Sequence, residues 1–578
     1  MKKQKILKGI PACDGIGIGK VFLLEREEDL VIPVRKIHKD NVKKELLRYK
    51  EALDNTKKEL ISTKERILKV LGKQHIALVE AYVAILEDRL LTRDLLRMIE
   101  EELLSAEYAL SIALNRVIQS FEKVEDEYFR GRVTDIRDVG RKLLRNLLGK
   151  ERKDLSKVTK NDIVIAHTLS PHDIIILKEQ QCPGFAVDVG TKTSHIALAA
   201  QGLEIPAVVG LKNITSEDIQ DGDDVIVDGF NGLVILNPEI DILEKYKQKS
   251  EQILREKEFL IRLKNLPPET QDGRRISLVC NIDSHREVEE VLNSSAEGVG
   301  LFRTEYQYID KKEVPTEKEL YEVYNFVAEK LYPYPVVIRT FDLGADKLSQ
   351  LGLEGVIPEV YPTLGLRGVR LALKYKNLFK TQIRAILRAS HRGNVKIMFP
   401  MISEIKEIIE IRRLIEEVKS ELKNEKVKFD KNIQIGAMIE TPSAALIVDL
   451  IVEHVDFVSL GTNDLIQYTL AVDRFNENVA ELYDPLHLSI LRLIKNVVDF
   501  AHKKNKLVSI CGEMASDTLF TKLLIGLGVD ELSVPPSAVL KIKRIIRDIN
   551  YSEAKEKTSD ILSSKNKEEI LKHLKEEK

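Results

Sequence analysis

Cysteine is scarce in this 578-residue chain, which holds four: Cys13, Cys182, Cys280 and Cys511. None forms a C-x-x-C pair, so a sequence-local zinc clip is excluded, and the wide spacing suits a reducing compartment rather than a disulfide framework. A surplus of one charge is missing too. Lys and Arg number 90 against 92 Asp and Glu, a formal net charge of −2, without the basic excess that wholesale nucleic-acid binding requires. No apolar run approaches the ~20 residues of a membrane span, and the basic start "MKKQKILKGIPACDG" lacks the apolar core of an export signal. A phosphate-cradling nucleotide loop is also absent: "DGIGIGK" runs into Val21 where Ser or Thr would be needed to hold a magnesium ion. The composition, 43% apolar and 31% charged, is globular, and the length exceeds one ordinary core. The expectation is a soluble, cytoplasmic, multidomain α/β protein.

What is present divides the chain by texture. Residues 1–35 read as short strands, "GIPACDGIGIGKVFLL" and then "DLVIPVRKI". From Val42 onward Leu46, Tyr49, Leu53, Leu60 and Ile67 recur near helical spacing among lysines and glutamates. Three more helical stretches, 75–103, 105–123 and 129–148, follow, so residues 36–149 read as an antiparallel four-helix bundle. Strand texture returns in "NDIVIAH", "GFAVDVG", "AVVG" and "DDVIVDGFNGLVILNP", which makes the bundle an insertion in one α/β domain built from 1–35 and 150–237. Residues 238–265 form a charged linker helix. From 266 to 578, eight apolar segments alternate with helical patterns, from "ISLVCNI" and "GVGLFRTE" to "LVSICGEM" and "ELSV", which predicts a (β/α)8 TIM barrel. The tail "KNKEEILKHLKEEK" reads as a solvated terminal helix.

Most of the barrel segments end in polar side chains: Arg303 and Glu305, Arg339 and Asp342, Glu440, Asn463 and Asp464, Cys511 and Glu513. The C-terminal rim is where this fold assembles its active site. Arg303, Arg339, Arg367 and Arg474 lie at that rim or in the loops after it. Guanidinium forks suit a small, highly anionic substrate, while structural ion pairs with neighbouring acids are the competing reading. Glu440 and Asp464 end consecutive strands and can hold Mg2+ together with substrate oxygens, or they can salt-bridge the arginines. Lys347, in "FDLGADK", is a further cation for a phosphoryl group. Cys511 reads by default as packing, but an electropositive rim would lower its pKa and let it exchange a proton with substrate.

His195 stands apart, behind the turn "GTKTS" and at the opening of the helix-like "HIALAAQGL". Free N–H groups at a helix start stabilise a bound anion. Thr193 and Ser194 add hydroxyls for the ring or for phosphoryl oxygens. Isolated histidines are mostly surface or core fillers, but a neutral imidazole in this setting is a competent nucleophile. The context points to a histidine that carries a phosphoryl group.

With these residues in view, the chain resembles over essentially its whole length the Enzyme I family of the phosphoenolpyruvate-dependent sugar phosphotransferase system. "TKTSHIALAAQGLEIPAVVG" is similar to the family's phosphohistidine signature. "GVGLFRTEYQYID", "VVIRTFDLGADK", "KIMFPMIS", "DFVSLGTNDLIQYTLAVDR" and "ICGEMASD" are similar to its barrel segments. The resemblance implies that phosphoenolpyruvate contacts Arg303, Arg339, Asn463, Asp464 and Arg474. It implies that Glu440 and Asp464 bind Mg2+, and that Cys511 protonates the enolate carbon to give pyruvate. His195 would then pass its phosphoryl group to the phosphocarrier protein HPr, docked on the helical bundle. A swivelling phosphohistidine domain and a homodimer through the barrel are implied as well.

Three departures stand out. The turn reads Gly-Thr-Lys where many relatives have Gly-Gly-Arg, so Lys192, after Thr191, keeps the charge without a bidentate fork. "YPTLGLRG" surrounds Arg367 in place of the usual Asn-Pro-Phe-Leu-Gly-Trp-Arg, and Tyr82 replaces a frequent histidine in the docking region. Pyruvate phosphate dikinase and phosphoenolpyruvate synthase share the domain types but add a nucleotide-binding domain, for which no room is expected before His195. A barrel lyase acting on a pyruvate enolate would leave His195 and the bundle idle. A non-catalytic phosphoenolpyruvate-sensing regulator would have lost rim residues, and none is missing.

Overall fold

A computed structural model describes residues 3–24, 32–70, 82–87, 89–122, 127–149, 153–192, 194–309, 311, 313–344, 347, 363–474, 476 and 478–575. For 62–70, 89–91, 121–122, 127–135, 138, 195 and 575 the description is of backbone alone. The chain forms two compact units, Met1–Arg255 and Glu256–Lys578.

The first unit is built on a mixed sheet of β1 (Lys5–Lys8), β2 (Ile10–Cys13), β3 (Ile16–Leu23), β4 (Asp162–Ala166), β5 (Gly184–Val187), β6 (Ala207–Val209), β7 (Asp224–Asp228) and β8 (Leu233–Leu236). Their spatial order is β1-β8-β7-β3-β4-β5-β6-β2. The central run β3-β4-β5-β6 is parallel and its flanks are antiparallel. A parallel strand covered on both faces must be apolar throughout. That is why "DIVIA" and "GFAV" show no alternation, with separate apolar clusters on the two sides.

Adjacent parallel strands cannot be joined by a hairpin and need a crossover. Between β3 and β4 the crossover is the helical insertion: α1 (Val42–Val70), α2 (Arg89–Glu100), α3 (Ala106–Glu122) and α4 (Glu127–Leu148). Leu95, Met98, Leu110, Val139 and Leu143 form its own core, joined by Tyr49 and Leu60 from the helical period of α1. Residues 82–86 are also helical, while 71–81 and 88 lie outside the described residues, so only parts of the expected 75–103 helix are seen. Tyr82 is buried in the bundle core. One expectation changes here. Of "DLVIPVRKI", the described part forms no strand beyond a single bridge between Lys36 and Leu104, and Pro33 withholds a ladder donor there. The remaining crossovers are α5 (Pro171–Glu179) and α6 (His195–Gly202), and α7 (Ile240–Arg262) is the charged helix expected after the sheet.

The second unit is a closed barrel of eight parallel strands: β9 (Ser277–Ile282), β10 (Val299–Phe302), β11 (Val336–Arg339), β12 (Val395–Phe399), β13 (Ile435–Ile439), β14 (Phe457–Leu460), β15 (Leu507–Ile510) and β16 (Glu531–Val534). β16 pairs back onto β9. Leu301, Val337, Met398, Met438, Phe457 and Cys511 fill the interior, so the barrel is packed, not open. The tail differs from the solvated helix expected: in Lys567–Lys575, Ile570 is buried in the barrel's outer core, with Leu571 and Leu574 packed against it. Among the described residues, no helix is long and apolar enough to cross a membrane.

Candidate active site

Strands that all run one way end on one face, so residues far apart in sequence meet there. Arg303 follows β10, Arg339 ends β11, Glu440 follows β13 and Cys511 follows β15. Asn463 and Asp464 lie in the first turn of the helix Thr462–Leu470. With Arg367 and Arg474 these residues line one cavity of about 380 Å³, together with Glu305, Asp342 and Glu513. Lys347 is exposed and does not line it, so the role expected for that lysine is not met in this geometry.

Every rim arginine is held by an acid. Arg303 Nη1 donates to Asp283 Oδ1 at 3.0 Å, and Arg339 Nη2 to Glu305 Oε1 at 2.9 Å, with Arg339 Nη1 3.4 Å from Asp342 Oδ2. Arg367 grips Asp342 through Nε (2.8 Å) and Nη2 (2.9 Å) and reaches Asp464 through Nη2 at 2.9 Å. Arg474 Nη1 lies 3.5 Å from Glu513 Oε1, and Asn463 exchanges two hydrogen bonds with Glu513. The ion-pair reading is therefore realised. It does not displace the anion-binding one, because the pairs fix the guanidinium forks in advance of any ligand. Against the cost of burial, Arg339 and Arg367 hold the Asp342 carboxyl below its ordinary range.

Five carboxylates face four guanidinium groups around the cavity. Three of them, Asp342, Glu440 and Asp464, bring oxygens within 4.8 Å of one another. Glu440 is fully buried and accepts from Met401 N at 2.6 Å. Burial, then the charges of Asp464 and Asp342, push its carboxyl above the usual range in spite of Arg339 and Arg367. Hard oxygen donors in this number and this close together fit a divalent cation such as Mg2+. Asp342 had no role in the sequence reading beyond its place at a strand end.

Cys511 is buried beneath the rim, where its thiol accepts from Ser459 Oγ at 3.5 Å and donates to Leu460 O at 3.6 Å. The lowered pKa expected for it is reversed. Burial pushes the thiol up and outweighs the Ser459 hydrogen bond and the Arg339 charge, because Arg339 is already neutralised by Glu305 and Asp342. The thiol is kept protonated.

In the first unit, His195 is the first residue of α6 and Ser194 is its N-cap. The His195 side chain and all of Thr193 lie outside the described residues. Ser194 Oγ accepts from Ala197 N at 3.4 Å and donates to Thr191 O at 2.8 Å. Its hydroxyl proton thus holds the turn, and the phosphoryl contact expected of it would require that bond to break.

Comparison with known proteins places this geometry. The models named "PEP-utilising enzyme, N-terminal", "PEP-utilising enzyme, mobile domain" and "PEP-utilising enzyme, PEP-binding domain" match residues 8–132, 158–232 and 257–551. The phosphoenolpyruvate-protein phosphotransferases of Priestia megaterium and Bacillus subtilis are each 40% identical to this chain, over 571 and 570 residues and 99% of both chains. That of Haemophilus influenzae is 39% identical over 551 residues, 95% of each chain. The chain belongs to the phosphoenolpyruvate-protein phosphotransferase family. It is therefore an enzyme of that family, and the rim and the His195 turn fall within the stretches matched by the PEP-binding and mobile-domain models. Glu305, Asp342 and Glu513 were visible to sequence reasoning as strand-end polar residues. Which of them meet, and on which arginine, depends on closure of the barrel. The departure around Arg367 is also resolved in part: Tyr468 accepts from Arg367 Nη1 at 3.3 Å and donates to Thr363 O at 2.5 Å, pinning that loop. Tyr361 and Pro362 lie outside the described residues.

Proposed function

We propose that this enzyme binds phosphoenolpyruvate at the barrel rim, transfers its phosphoryl group to His195 with release of pyruvate, and passes it on to a histidine of HPr docked on the helical bundle. The observation that carries the reading is the rim itself: preset guanidinium forks beside a three-carboxylate cluster, in a chain of this family. Arg303, Arg339 and Arg474 bind the phosphate and carboxylate groups, with Asn463 and Asp464 beside them, and Arg367 orients the acids. Glu440 and Asp464, joined by Asp342, are the residues that would hold Mg2+, which when bound offsets the negative charge of the phosphoryl and enolate oxygens.

A His195 ring nitrogen attacks phosphorus in line, and the bond from phosphorus to the enolate oxygen breaks with its electron pair left on oxygen. The methylene carbon of the enolate takes the Cys511 proton, giving pyruvate, and the thiolate recovers a proton from solvent. A protonated thiol is the form this step needs, and burial favours it. Family resemblance supports a cytoplasmic homodimer joined through the barrel.

The test is incubation with phosphate-labelled phosphoenolpyruvate and Mg2+, comparing wild type with His195→Ala. Acid-labile, base-stable label on wild type alone is expected. A wild type that stays unlabelled while still binding phosphoenolpyruvate would end this reading.

A further inference from the structure

His167 and Asp188 follow β4 and β5 directly, and the register pairs Ala166 with Val187, so the two side chains sit next to each other at the C-terminal edge of the sheet. His167 Nδ1 lies 3.2 Å from Asp188 Oδ2, and both residues are buried. Asp188 does more than pair with the imidazole. Its Oδ1 accepts from the backbone N–H of Ile214 and, at 3.4 Å, from that of Thr215. Its Oδ2 accepts from Thr215 Oγ1. The 3-10 turn Ile214–Ser216 has no cap from its own Asn213 side chain, and Asp188 supplies one from the end of the neighbouring strand β5. Backbone bonds reinforce the tie: Lys212 N donates to Asp188 O at 2.9 Å, and Val189 N to His167 O at 3.2 Å. One carboxylate thus clamps the ends of two strands to the segment that follows β6.

That segment is the floor of the turn leading to His195. Gly190 has φ +130, and a Cβ there would meet Val209 Cβ at 3.1 Å and Ser194 Oγ at 3.3 Å. A Cβ on Gly210 would meet Gly190 O at 2.9 Å. The backbone of the turn therefore rests on Val209 and Gly210, immediately before the residues that Asp188 pins. Its far end closes on itself through Ser194 and Thr191.

We propose that Asp188, oriented by His167, is a positioning residue for phosphoryl transfer at His195. It fixes the platform on which the turn rests, so that the helix start is presented in one register to the transferring phosphorus. The proposal rests on the reading of His195 as the phosphoryl acceptor. Phosphoenolpyruvate binds on the barrel, so loss of the clamp changes the transfer rate and leaves phosphoenolpyruvate affinity alone. A positioning effect also lowers forward and reverse rates together, because it acts on the transition state and not on the stability of phosphohistidine.

The experiment is single-turnover phosphorylation of the full-length enzyme by phosphoenolpyruvate, and its reversal by pyruvate, for wild type, Asp188→Asn, Thr215→Val and His167→Gln. Asp188→Asn is expected to slow both directions by about 10- to 100-fold, with an unchanged equilibrium constant and phosphoenolpyruvate Kd. His167→Gln, which can still donate to Asp188, is expected to recover most of the rate. Thr215→Val, nearly isosteric and removing only one of the bonds to Asp188, is expected to show a smaller loss of the same kind, which keeps the test open if Asp188→Asn does not fold. Wild-type rates in folded Asp188→Asn or Thr215→Val overturn the proposal. So does a change in one direction only. Absence of label at His195 in the wild type would instead strike the reading on which the proposal rests.

Discussion

Arg339 and Glu305 are expected to act as one energetic unit. Arg339 is 8% exposed and its guanidinium donates to Glu305 at 2.9 Å, so removing it takes the counter-charge from a carboxylate that is itself poorly hydrated. Asp342, its other neighbour, keeps Arg367. A hydrogen bond to a charged group contributes about 1.5–3 kcal/mol, and opposite charges ~4 Å apart attract by about 4 kcal/mol at an effective dielectric near 20. Desolvation of both partners offsets part of this. The expected coupling is about 2 kcal/mol, while Arg339→Met alone costs about 3 kcal/mol because Glu305 loses its counter-charge and keeps only the Asp342 backbone N–H. The assay is urea unfolding of the full chain for Arg339→Met, Glu305→Gln and the double variant, using the transition that the barrel variants move. The double variant should be less destabilised than the two singles together. Additivity within about 0.5 kcal/mol would refute the reasoning, since it would mean that the contact carries no energy of its own. Arg339→Lys separates charge from fork: it should keep most of the stability and lose about 10²-fold in kcat/KM.

The remaining expectations are shorter. Burial and the neighbouring acids hold the Glu440 carboxyl up, so the metal-free site favours the protonated form and cation binding must expel the proton. Mg2+ affinity should therefore fall as pH falls, and calorimetry in buffers of different ionisation enthalpy should show proton release from wild type but not from Glu440→Gln; no release from wild type would count against the cation site. Cys511→Ala should bind phosphoenolpyruvate normally and turn over about 10²-fold slower or worse, as expected for loss of a general acid; unimpaired pyruvate formation would remove Cys511 from the mechanism. Ile570→Ala should destabilise the barrel by about 2–5 kcal/mol, because this buried side chain belongs to the core; unfolding curves that overlay wild type would return the tail to solvent.

Several of these sites were half legible beforehand. Eight apolar runs, each closed by polar residues, announce both a barrel and its active face, because parallel strands buried on two sides leave only their ends for chemistry. The period through Tyr49, Leu53 and Leu60 marks a packed helix for the same reason. The burial of Tyr82 is not legible in the sequence, because the fragment around it has no period long enough to show which face it occupies. Lys347 was misplaced because a loop's reach cannot be inferred from its distance along the chain.

The order of strands and helices, the insertion of the bundle at a crossover, the arginines and acids of the rim and the setting of His195 were all determined by the amino-acid sequence, because periodicity and apolar run length are local properties. Only the tertiary structure decided that Asp342 completes a carboxylate cluster, that Arg339 is neutralised by Glu305, that the Cys511 thiol is pushed up instead of down, and that Asp188 clamps the floor beneath the His195 turn. Charge interactions and desolvation depend on separation and burial in three dimensions. Residues such as Asp188 and Thr215 become neighbours only when the sheet has formed.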